Sequence, residues 1–482
     1  MPIISLVFLL FTLIAFAVYF IIPYKWQPYW LLVASLIFYL YSDIRYIFFL
    51  GFSIITTFIL SHFLNRKGNK SKVILIFIVL INIGLLFTVK YLPFSFSVFQ
   101  TLAGLSLPTF SILVPLGISF YTLQAVGYCI DIYKGKYAPE KNFAKYMLFM
   151  SYFPIILQGP ISRYNQLAEQ LFTPHSFDYK RVKFGLQLAL WGLFKKMVIA
   201  DRAAILVNQV FDQYTEYQGF EIFVAALMYT VQIYTDFSGC VDISRGISQV
   251  FGIELIKNFD HPYFAISIQD FWKRWHISLS SWLRDYVYIP LGGNRKGICR
   301  KYINVLIVFI ISGLWHGVGF HYLAWGILHG AYQVIGALTK KLREAFCQKL
   351  HVHTNNFSYQ LGQQIITFFL VTFAWIFFRA QGFRAALRMI KSMLFTYNPW
   401  VLTDGSILQM GLDGKDWNIL LFSILVLLVI SLLQTKYPLR EKLAQQNLWF
   451  RWGIYFMAIF SVLIFGIYGP GYSNSQFIYM QF

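Results

Sequence analysis

The sequence predicts an all-α integral membrane protein that crosses the bilayer several times. Of its 482 residues, 58% are hydrophobic and 12% are charged, whereas an ordinary soluble domain carries roughly 25% charged residues. Apolar runs of about 20 residues, the length that spans a bilayer as a helix, recur from one end of the chain to the other. Since several runs are short or interrupted, we expect roughly eleven to thirteen membrane segments, some tilted or re-entrant.

The expected segments lie near residues 3–23, 29–42, 46–64, 73–90, 102–122, 183–200, 220–236, 303–320, 322–338, 362–379, 418–433 and 453–468. The first run has no basic residue ahead of it and no small-residue cleavage site, which favours a retained span over a secretory signal. The longest polar stretches, near 257–302, 339–362 and 397–417, are too short for a soluble domain of ordinary size. The sequence therefore predicts a single membrane domain over residues 1–482.

Basic residues outnumber acidic ones, with 40 Lys plus Arg against 20 Asp plus Glu and a formal net charge of +20. In a polytopic protein this excess is typical of basic cytoplasmic loops, so we do not expect nucleic-acid binding. If the basic cluster at residues 65–72 is cytoplasmic, the three spans before it place the N-terminus outside. The chain has no Walker A, GxGxxG, GxSxG or HExxH motif, so nucleotide-driven pumping, Rossmann cofactors, α/β-hydrolase chemistry and zincin chemistry lack sequence support.

Three stretches of the earlier half embed polar or helix-breaking residues in apolar sequence, at residues 114–136, 153–164 and 232–246. Broken helices with buried polar groups are tolerated in membranes where they line a cavity or are enclosed in protein. Together the stretches predict a central polar chamber. The alternative is that each marks a loop at a membrane face.

Residues 257–302 are the least membrane-like part of the chain. Aromatic and aliphatic residues alternate there with Lys273, Arg274, Arg284 and Asp285 at intervals suited to amphipathic helices. We expect helices that lie at the interface or dip into it. A peripheral loop whose arginines bind lipid phosphates is the alternative.

The stretch "SGLWHGVGFHYLAWGILHG", residues 312–330, places three histidines in apolar sequence. Ionisable groups at membrane depth indicate a functional site. His316 follows a Ser-Gly pair and lies between Trp315 and Gly317. Its imidazole can accept a proton from a hydroxyl near neutral pH and return it to a leaving group, as acyl transfer requires. The alternative is a histidine bonded in the core to a backbone carbonyl.

His276 lies in "FWKRWHISLSSWLRDY" and repeats the Trp-His pair of the later motif. The two histidines could converge on one cavity, with one as base and the other orienting substrate or stabilising charge; an interfacial histidine beside Arg274 is the alternative. On a continuous helix His329 lies roughly 220° and His321 roughly 140° from His316. Neither shares its face, so we expect no metal site.

The apolar end of the chain, residues 473–482 ("SNSQFIYMQF"), is unusual because chain ends are normally polar. Tyr479 fits an interfacial anchor in an aromatic belt. Alternatively, its phenol enters the cavity as an acyl acceptor and donor, as in covalent catalysis.

The motifs "FWKRWHISLSSWLRDYVYIPLGGNRKG" and "SGLWHGVGFHYLAWGILHGAY" resemble the membrane-bound O-acyltransferases. Within that family they are similar to the bacterial alginate and peptidoglycan O-acetyltransferases, with the teichoic-acid D-alanylation enzyme a closer relative than the eukaryotic lipid enzymes. "LQGPISRY" and "YTDFSGCVDISRG" also match. The resemblance covers the chain from about Val114 to its end, with the core motifs at about 114–340.

The resemblance implies that His316 is the family's essential histidine and that His276 is the second polar position of the site. It implies tilted helices around a central tunnel, for which Trp275 and Trp315 are candidate supporting residues. The "FIYMQF" end resembles a motif of the bacterial branch whose tyrosine is proposed to carry the acyl group, which maps onto Tyr479. Met480 stands where other members often have Phe.

Arg284 and Asp285 are further candidates for supporting or lining the tunnel. The resemblance also implies a donor on the cytoplasmic side, acetyl-CoA, and no bound cofactor or metal. It implies acetyl transfer across the bacterial cytoplasmic membrane to an extracytoplasmic envelope or secreted polysaccharide, through a separate extracytoplasmic acetyltransferase. Membrane lipids are the other expected partner.

Three alternatives stay open. D-alanyl transfer to teichoic acid would use the same chemistry. A transporter for a polysaccharide precursor would favour inverted hydropathy repeats, which the sequence does not show. A scaffold for a polymer-synthesis complex would explain the aromatic content but not the two Trp-His motifs.

Overall fold

The computed structural model describes residues 1–64, 68–103 and 113–468, and within these ranges the chain forms helices joined by loops, with no β-strand. The all-α prediction is therefore confirmed. Two of the sequence features lie partly or wholly outside the described residues, namely the basic cluster at 65–72 and the end of the chain with Tyr479.

Six helices of the described ranges are long and apolar enough to cross a membrane, which supports a multi-pass membrane protein: Tyr46–Leu64, Asn69–Gln100, Ile298–His316, Phe357–Arg379, Gly414–Lys436 and Leu448–Phe465. Leu6–Ile21 is a shorter apolar helix. Six is fewer than the eleven to thirteen segments expected from apolar runs. Several of those runs form shorter helices, such as the 14 residues of Gln27–Leu40 and the 16 residues of Ile118–Tyr133.

The contacts of the chain divide it into two compact units. The first unit comprises Met1–Ala189 and Cys240–Ile256, and the second comprises Leu190–Gly239 and Lys257–Phe482. All candidate site residues that the structure describes belong to the second unit. The prediction of one membrane domain over the whole chain stays a prediction.

The first unit contains α1 (Leu6–Ile21), α2 (Gln27–Leu40), α3 (Tyr46–Ser61), α4 (Asn69–Ala103), α5 (Ile118–Tyr133), α6 (Phe143–Ser151), α7 (Tyr164–Phe172), most of α8 (Tyr179–Leu193) and the last turns of the long helix Phe220–Val250. Short 3-10 turns follow α1 and α3, at Tyr24–Trp26 and His62–Leu64.

Polar side chains tie the helices of the first unit together. The Ser35 hydroxyl accepts a 3.1 Å hydrogen bond from the Phe153 amide. Gly117 precedes α5 with φ 78, and an added Cβ would collide with the Ile156 carbonyl oxygen. Only glycine fits such a left-handed, closely approached position. The predicted break at residues 153–164 is present as a buried, irregular segment between α6 and α7.

The second unit contains α9 (Asp201–Asp212), α10 (Phe220–Val250, to Gly239), α11 (Ile268–Arg274), α12 (Ile277–Leu283), α13 (Ile298–His316), α14 (Phe320–Leu338), α15 (Lys340–Lys349), α16 (Phe357–Arg379), α17 (Phe383–Phe395), α18 (Gly414–Lys436), α19 (Leu439–Ala444) and α20 (Leu448–Phe465). π-helical segments lie at Phe194–Ala200 and Arg284–Tyr288, and 3-10 turns at Pro262–Phe264, Pro399–Leu402 and Ser406–Gln409.

Two sequence expectations have different outcomes in this part of the chain. The expected break at residues 232–246 is wrong, because α10 runs through it without interruption. Residues 257–302 form short helices, α11 and α12, and neither is among the apolar candidate spans. The location of this segment at the membrane interface stays a prediction.

Candidate active site

His276 lies in the sharp turn between α11 and α12. The Ser267 hydroxyl caps α11 by accepting a 3.1 Å hydrogen bond from the Asp270 amide, and the helix ends at Arg274. His276 then adopts a left-handed backbone conformation, with φ 46 and ψ 53, before α12 begins at Ile277. Such a conformation costs a residue other than glycine about 1–2 kcal/mol. Strain of this kind at a fully buried histidine is typical of a functional site.

Asn258, a buried residue of the preceding loop, holds this turn in place. Its side-chain oxygen Oδ1 accepts a 2.9 Å hydrogen bond from the Ser278 amide, and its carbonyl oxygen accepts a 3.0 Å bond from the Ile277 amide. The Asp260 amide donates to the Arg274 carbonyl oxygen at 2.9 Å. The first two bonds satisfy N–H groups at the start of α12 that no helical carbonyl can reach, and the third satisfies a carbonyl at the end of α11.

The same amide oxygen orients the His276 ring. His276 Nδ1 lies 3.4 Å from Asn258 Oδ1, and that atom must be the oxygen because it also accepts from the Ser278 N–H. The contact is therefore a long hydrogen bond in which Nδ1–H donates. In this tautomer Nε2 carries the lone pair, which is the form that can accept a proton.

The Asn258 loop is also held by charge at Asp260. Lys257 Nζ lies 2.6 Å from the Asp260 carboxylate, and His261 Nδ1 lies 3.1 Å from it. Desolvation raises the pKa of Asp260, but the hydrogen bonds and charges of Lys257 and His261 outweigh it and hold the pKa below its ordinary value. The loop that positions His276 is thereby fixed by an ion pair as well as by backbone bonds.

His316 is the last residue of α13, and its position depends on a close crossing of α13 with α14. A Cβ at Gly313 would collide with the Tyr322 carbonyl oxygen, and one at Gly326 would collide with the Phe309 carbonyl oxygen. Glycines at these two positions let the helix backbones approach more closely than any side chain would allow. The crossing brings the end of α13 against the first turns of α14.

The two histidines are neighbours inside an aromatic shell. Their ring centroids are 6.3 Å apart, and 0% of His276 and 3% of His316 is exposed. Trp315 lies 4.9 Å from His316 and 6.1 Å from His276. Trp325 and Phe378 cover the His316 ring at 5.1 and 5.3 Å. A shell of this kind keeps bulk water from a reaction at the imidazoles.

His329 lies nearer to this shell than the continuous-helix geometry predicts. α13 ends at His316 and α14 starts afresh at Phe320, so the expected angles of His321 and His329 do not apply. His329 is fully buried, 5.1 Å from Trp325, and its Nδ1 accepts a 3.3 Å hydrogen bond from the Trp272 indole. His321 is partly exposed, with its ring 4.2 Å from that of the next residue, Tyr322.

A second buried polar cluster, which we call the lysine cluster, lies at the π-helical segment Phe194–Ala200. Lys196 Nζ lies 2.8 Å from both Asp201 and Asp236. Lys195 Nζ donates a 3.0 Å hydrogen bond to the Ser238 hydroxyl. All four charged side chains are less than 10% exposed, so these two cations and two anions compensate each other within the fold.

The lysine cluster and the histidine pair meet along α10. Asp236 and Ser238 flank Phe237, whose ring lies 4.8 Å from His276. The lysine cluster was not predicted, although Lys195 and Lys196 interrupt an otherwise apolar run and gave a signal. Asn258 was not predicted either, because the sequence shows it only as a polar residue in a polar segment.

The other predicted residues are placed as follows. Trp275 and Trp315 are buried, and Trp315 contacts both histidines. Arg284 is 63% exposed and pairs with Asp285 at 2.9 Å. Tyr479 lies outside the described residues. Within the described ranges, no group of three or more His, Cys, Asp or Glu is arranged to hold a metal ion.

The profile of the MBOAT, membrane-bound O-acyltransferase, family matches residues 140–380. That range contains both histidines, Asn258 and the lysine cluster. The chain therefore belongs to the membrane-bound O-acyltransferase family, and it is an acyltransferase.

Curated relatives extend the match. The chain is 34% identical to a peptidoglycan O-acetyltransferase of Helicobacter pylori over 396 residues, which are 76% of this chain and 73% of that protein. It is 36% identical to a probable alginate O-acetylase of Pseudomonas putida over 61% of this chain and 58% of that protein. A teichoic acid D-alanyltransferase of Streptococcus thermophilus is 29% identical over 47% of this chain and 58% of that protein.

Proposed function

We propose that this chain transfers acetyl groups from a cytoplasmic thioester, acetyl-CoA, to the hydroxyl groups of an extracytoplasmic envelope or secreted polysaccharide. The observation that carries the proposal is the pair of buried imidazole rings with centroids 6.3 Å apart, within the range matched by the acyltransferase family. The names of the peptidoglycan and alginate relatives favour acetyl as the acyl group and a polysaccharide as the acceptor.

In this proposal His316 is the general base. Its imidazole takes the proton of the attacking hydroxyl, which in the first step is the Tyr479 phenol, while the hydroxyl oxygen forms a bond to the thioester carbonyl carbon. Collapse of the tetrahedral intermediate breaks the carbon–sulfur bond, and the imidazolium returns the proton to the departing thiolate. The products are an ester and a free thiol, and the aromatic shell protects the thioester from hydrolysis.

His276 has the complementary role. Because Asn258 accepts from Nδ1–H, the lone pair of His276 is on Nε2, and in this proposal Nε2 accepts a hydrogen bond from the attacking hydroxyl. This bond holds the hydroxyl near the carbonyl carbon. The hydroxyl then turns its single proton from His276 to His316, which removes it as the oxygen attacks. Trp275 and Trp315 support the two rings, and Arg284 and Asp285 line the approach to the tunnel.

Tyr479 carries the acyl group between donor and acceptor in the proposed sequence. Its phenol oxygen first takes the acetyl group from the thioester. The acceptor hydroxyl then attacks the phenol ester, the bond to the phenol oxygen breaks, and the proton of the acceptor returns to the phenol. The donor side is cytoplasmic, the N-terminus is extracytoplasmic, and a separate extracytoplasmic acetyltransferase completes delivery to the polymer. The protein resides in the bacterial cytoplasmic membrane.

D-alanyl transfer to teichoic acid is the second candidate. The similarity to the Streptococcus thermophilus D-alanyltransferase favours it, because the histidine pair could serve any small acyl group. We rank it second because the higher identity and greater coverage of the acetyltransferase relatives support acetyl transfer.

The test is to measure ester-linked acetate and D-alanine released by mild base from fractionated envelope and secreted polymers. Cells carry the native chain, His316→Ala, or the control His321→Ala, which removes a partly exposed histidine of α14. We expect His316→Ala to lose acetate from one polymer fraction and the control to retain it. Loss of D-alanine instead would favour the second candidate.

Membrane insertion of each variant is checked by fractionation and thermal melting in detergent. If inserted His316→Ala transfers acetyl groups at the native rate, the proposed base is wrong. Tyr479→Phe keeps the shape of an aromatic anchor and removes only the phenol oxygen, so native turnover in that variant would return Tyr479 to an anchoring role.

A further inference from the structure

An apolar groove runs along the side of α14 that does not carry the aromatic shell. Its volume is about 480 Å³, and its walls come from three helices, α14, α16 and α17: Phe320, Leu323, Ala324, Ile327, Leu328, Ala331, Phe373, Phe377 and Phe383. Every one of these side chains is a hydrocarbon. The occupant must therefore be apolar over the length of the groove.

The dimensions of the groove limit what it can hold. From Phe320 to Ala331 the rise along α14 is about 16 Å, close to the roughly 15 Å of hydrocarbon in one bilayer leaflet. The groove, with a volume of about 480 Å³, is therefore long enough to hold one extended acyl chain of a single leaflet.

A row of cations lies beside one end of the groove. Phe383, the first residue of α17, contacts Phe377 of α16 with 6.0 Å between ring centroids. Arg384, Arg388 and Lys391 follow at helical spacing and are all exposed. We call these three residues the cationic row.

The cationic row has no counter-charge on the helices that form the groove. α14, α16 and α17 contain no Asp or Glu. The other cation nearby, Arg379 at the end of α16, is already paired with Asp212 at 3.0 Å. Such a row beside an apolar surface attracts the phosphate groups of an anionic membrane.

The exposed face of α17 also has the composition of a helix that lies in a lipid surface. Phe383, Leu387 and Leu394 are 41–64% exposed and form an apolar strip next to the cationic row. The opposite face of α17 is buried in the protein through residues such as Ala386 and Met389. The apolar strip can enter the acyl region while the cations stay at headgroup level.

We propose that the groove and the cationic row together form a binding site for one anionic glycerophospholipid of the surrounding membrane. One acyl chain lies in the groove along α14, and the phosphate and headgroup lie against Arg384, Arg388 and Lys391. This inference does not rest on the proposed acetyl transfer, because none of its residues contacts the histidine rings.

The test is a titration of the full-length purified protein with dipalmitoyl phosphatidylglycerol and, separately, with dipalmitoyl phosphatidylcholine, followed by native mass spectrometry. The two lipids have the same acyl chains and differ in net charge. Since each cation at an anionic surface favours binding by about fivefold, we expect the native chain to prefer phosphatidylglycerol by about tenfold or more.

Two variants separate the parts of the site. The triple change Arg384→Gln, Arg388→Gln and Lys391→Gln should abolish the preference and leave binding of phosphatidylcholine unchanged. Ala324→Trp fills the groove, and it should weaken binding of both lipids by about tenfold while the cations remain. The matched control is Lys340→Gln, Lys341→Gln and Arg343→Gln on α15, an exposed basic helix whose residues are not among those that line this groove.

Three results would overturn the proposal. The native chain would bind the two lipids equally, the triple change in the cationic row would keep the preference for phosphatidylglycerol, or the α15 control would lose that preference to the same extent. The last result would attribute the preference to net surface charge. The row variant changes only exposed side chains, so it stays informative even if Ala324→Trp fails to fold.

Discussion

The histidine pair and the lysine cluster are both buried in the second unit, but their surroundings differ in kind. His276 and His316 lie among aromatic rings, and their imidazole side chains can be neutral. The lysine cluster holds two cations and two anions with 2.8 Å ion pairs. A buried charge that is matched by its neighbours fixes structure, whereas a buried neutral imidazole can accept a proton during a reaction.

This difference predicts that the two sites fail in different ways when they are altered. Changes at the histidine pair should reduce activity and spare folding. Changes at the lysine cluster should reduce the free energy of unfolding and affect activity only through it.

The largest effect is expected for His316→Gln, which preserves side-chain volume and removes the base. General base catalysis contributes about 10²–10⁴-fold to rate, so acyl transfer by purified protein should fall by that factor. The free energy of unfolding should change by less than about 1 kcal/mol. A variant that melts well below the native chain would mean that His316 is structural, and the comparison with the lysine cluster would fail.

The next largest effect is expected for Asp236→Asn. It leaves Lys196 with one anionic partner in place of two, and breaking a buried pair typically costs about 3–5 kcal/mol. Thermal unfolding in detergent measures this loss. Asp285→Asn is the control, since its pair with the 63% exposed Arg284 should be worth about 1 kcal/mol or less.

The double change Lys196→Met with Asp236→Leu sharpens this test. It removes one cation and one anion together, so a cost smaller than that of Asp236→Asn alone would identify the cluster as a charge-compensated structural element. If the losses in free energy of unfolding of the two single changes simply add up to that of the double change, Lys196 and Asp236 are not coupled.

Gly313→Ala should have an intermediate effect. Its Cβ would collide with the Tyr322 carbonyl oxygen, so α13 and α14 must separate at a cost of about 1–3 kcal/mol. Because His316 ends α13, acyl transfer should also fall. Gly336→Ala on α14, where an added Cβ meets nothing within 4 Å, should instead raise stability by about 0.5–1 kcal/mol.

The smallest effect is expected for Asn258→Ala, which removes the oxygen that orients His276 and caps α12. Loss of a cap costs about 1 kcal/mol, and a loosened imidazole should lower kcat by about tenfold with little change in KM. Asn258→Asp retains an acceptor oxygen and should recover most of kcat. If Asn258→Ala changes the melting temperature without changing kcat, Asn258 only supports the fold.

The helical membrane architecture was predictable because apolar composition and run length depend on residues that are close together in sequence. The Trp-His motifs also marked His276 and His316 locally as candidates, and the structure brings their rings within 6.3 Å of each other. The role of Asn258 was not predictable, since it depends on backbone pairing between residues 258–260 and 274–278. That pairing is visible only in three dimensions.

The expected break in α10 shows why glycine can mislead. Gly239 interrupts apolar sequence as a helix breaker would, yet it lies inside a regular helix. An added Cβ there would meet the Gly192 carbonyl oxygen at 2.8 Å, so this glycine permits close backbone approach. The lysine cluster escaped prediction for a related reason, because Lys196 needs Asp236 from a helix about 40 residues away in sequence.

The two sides of α14 together constrain the length of this helix, because each packs against a different environment. Tyr322, Trp325 and His329 face the aromatic rings, whereas Leu323, Ala324 and Leu328 face the groove. Inserting or deleting one residue between Phe320 and Ala331 would turn everything beyond it by about 100°. Hydrocarbon would then replace the Trp325 indole beside His316, so a change in the length of α14 within this stretch should disturb both of its faces at once, whereas a single substitution disturbs one.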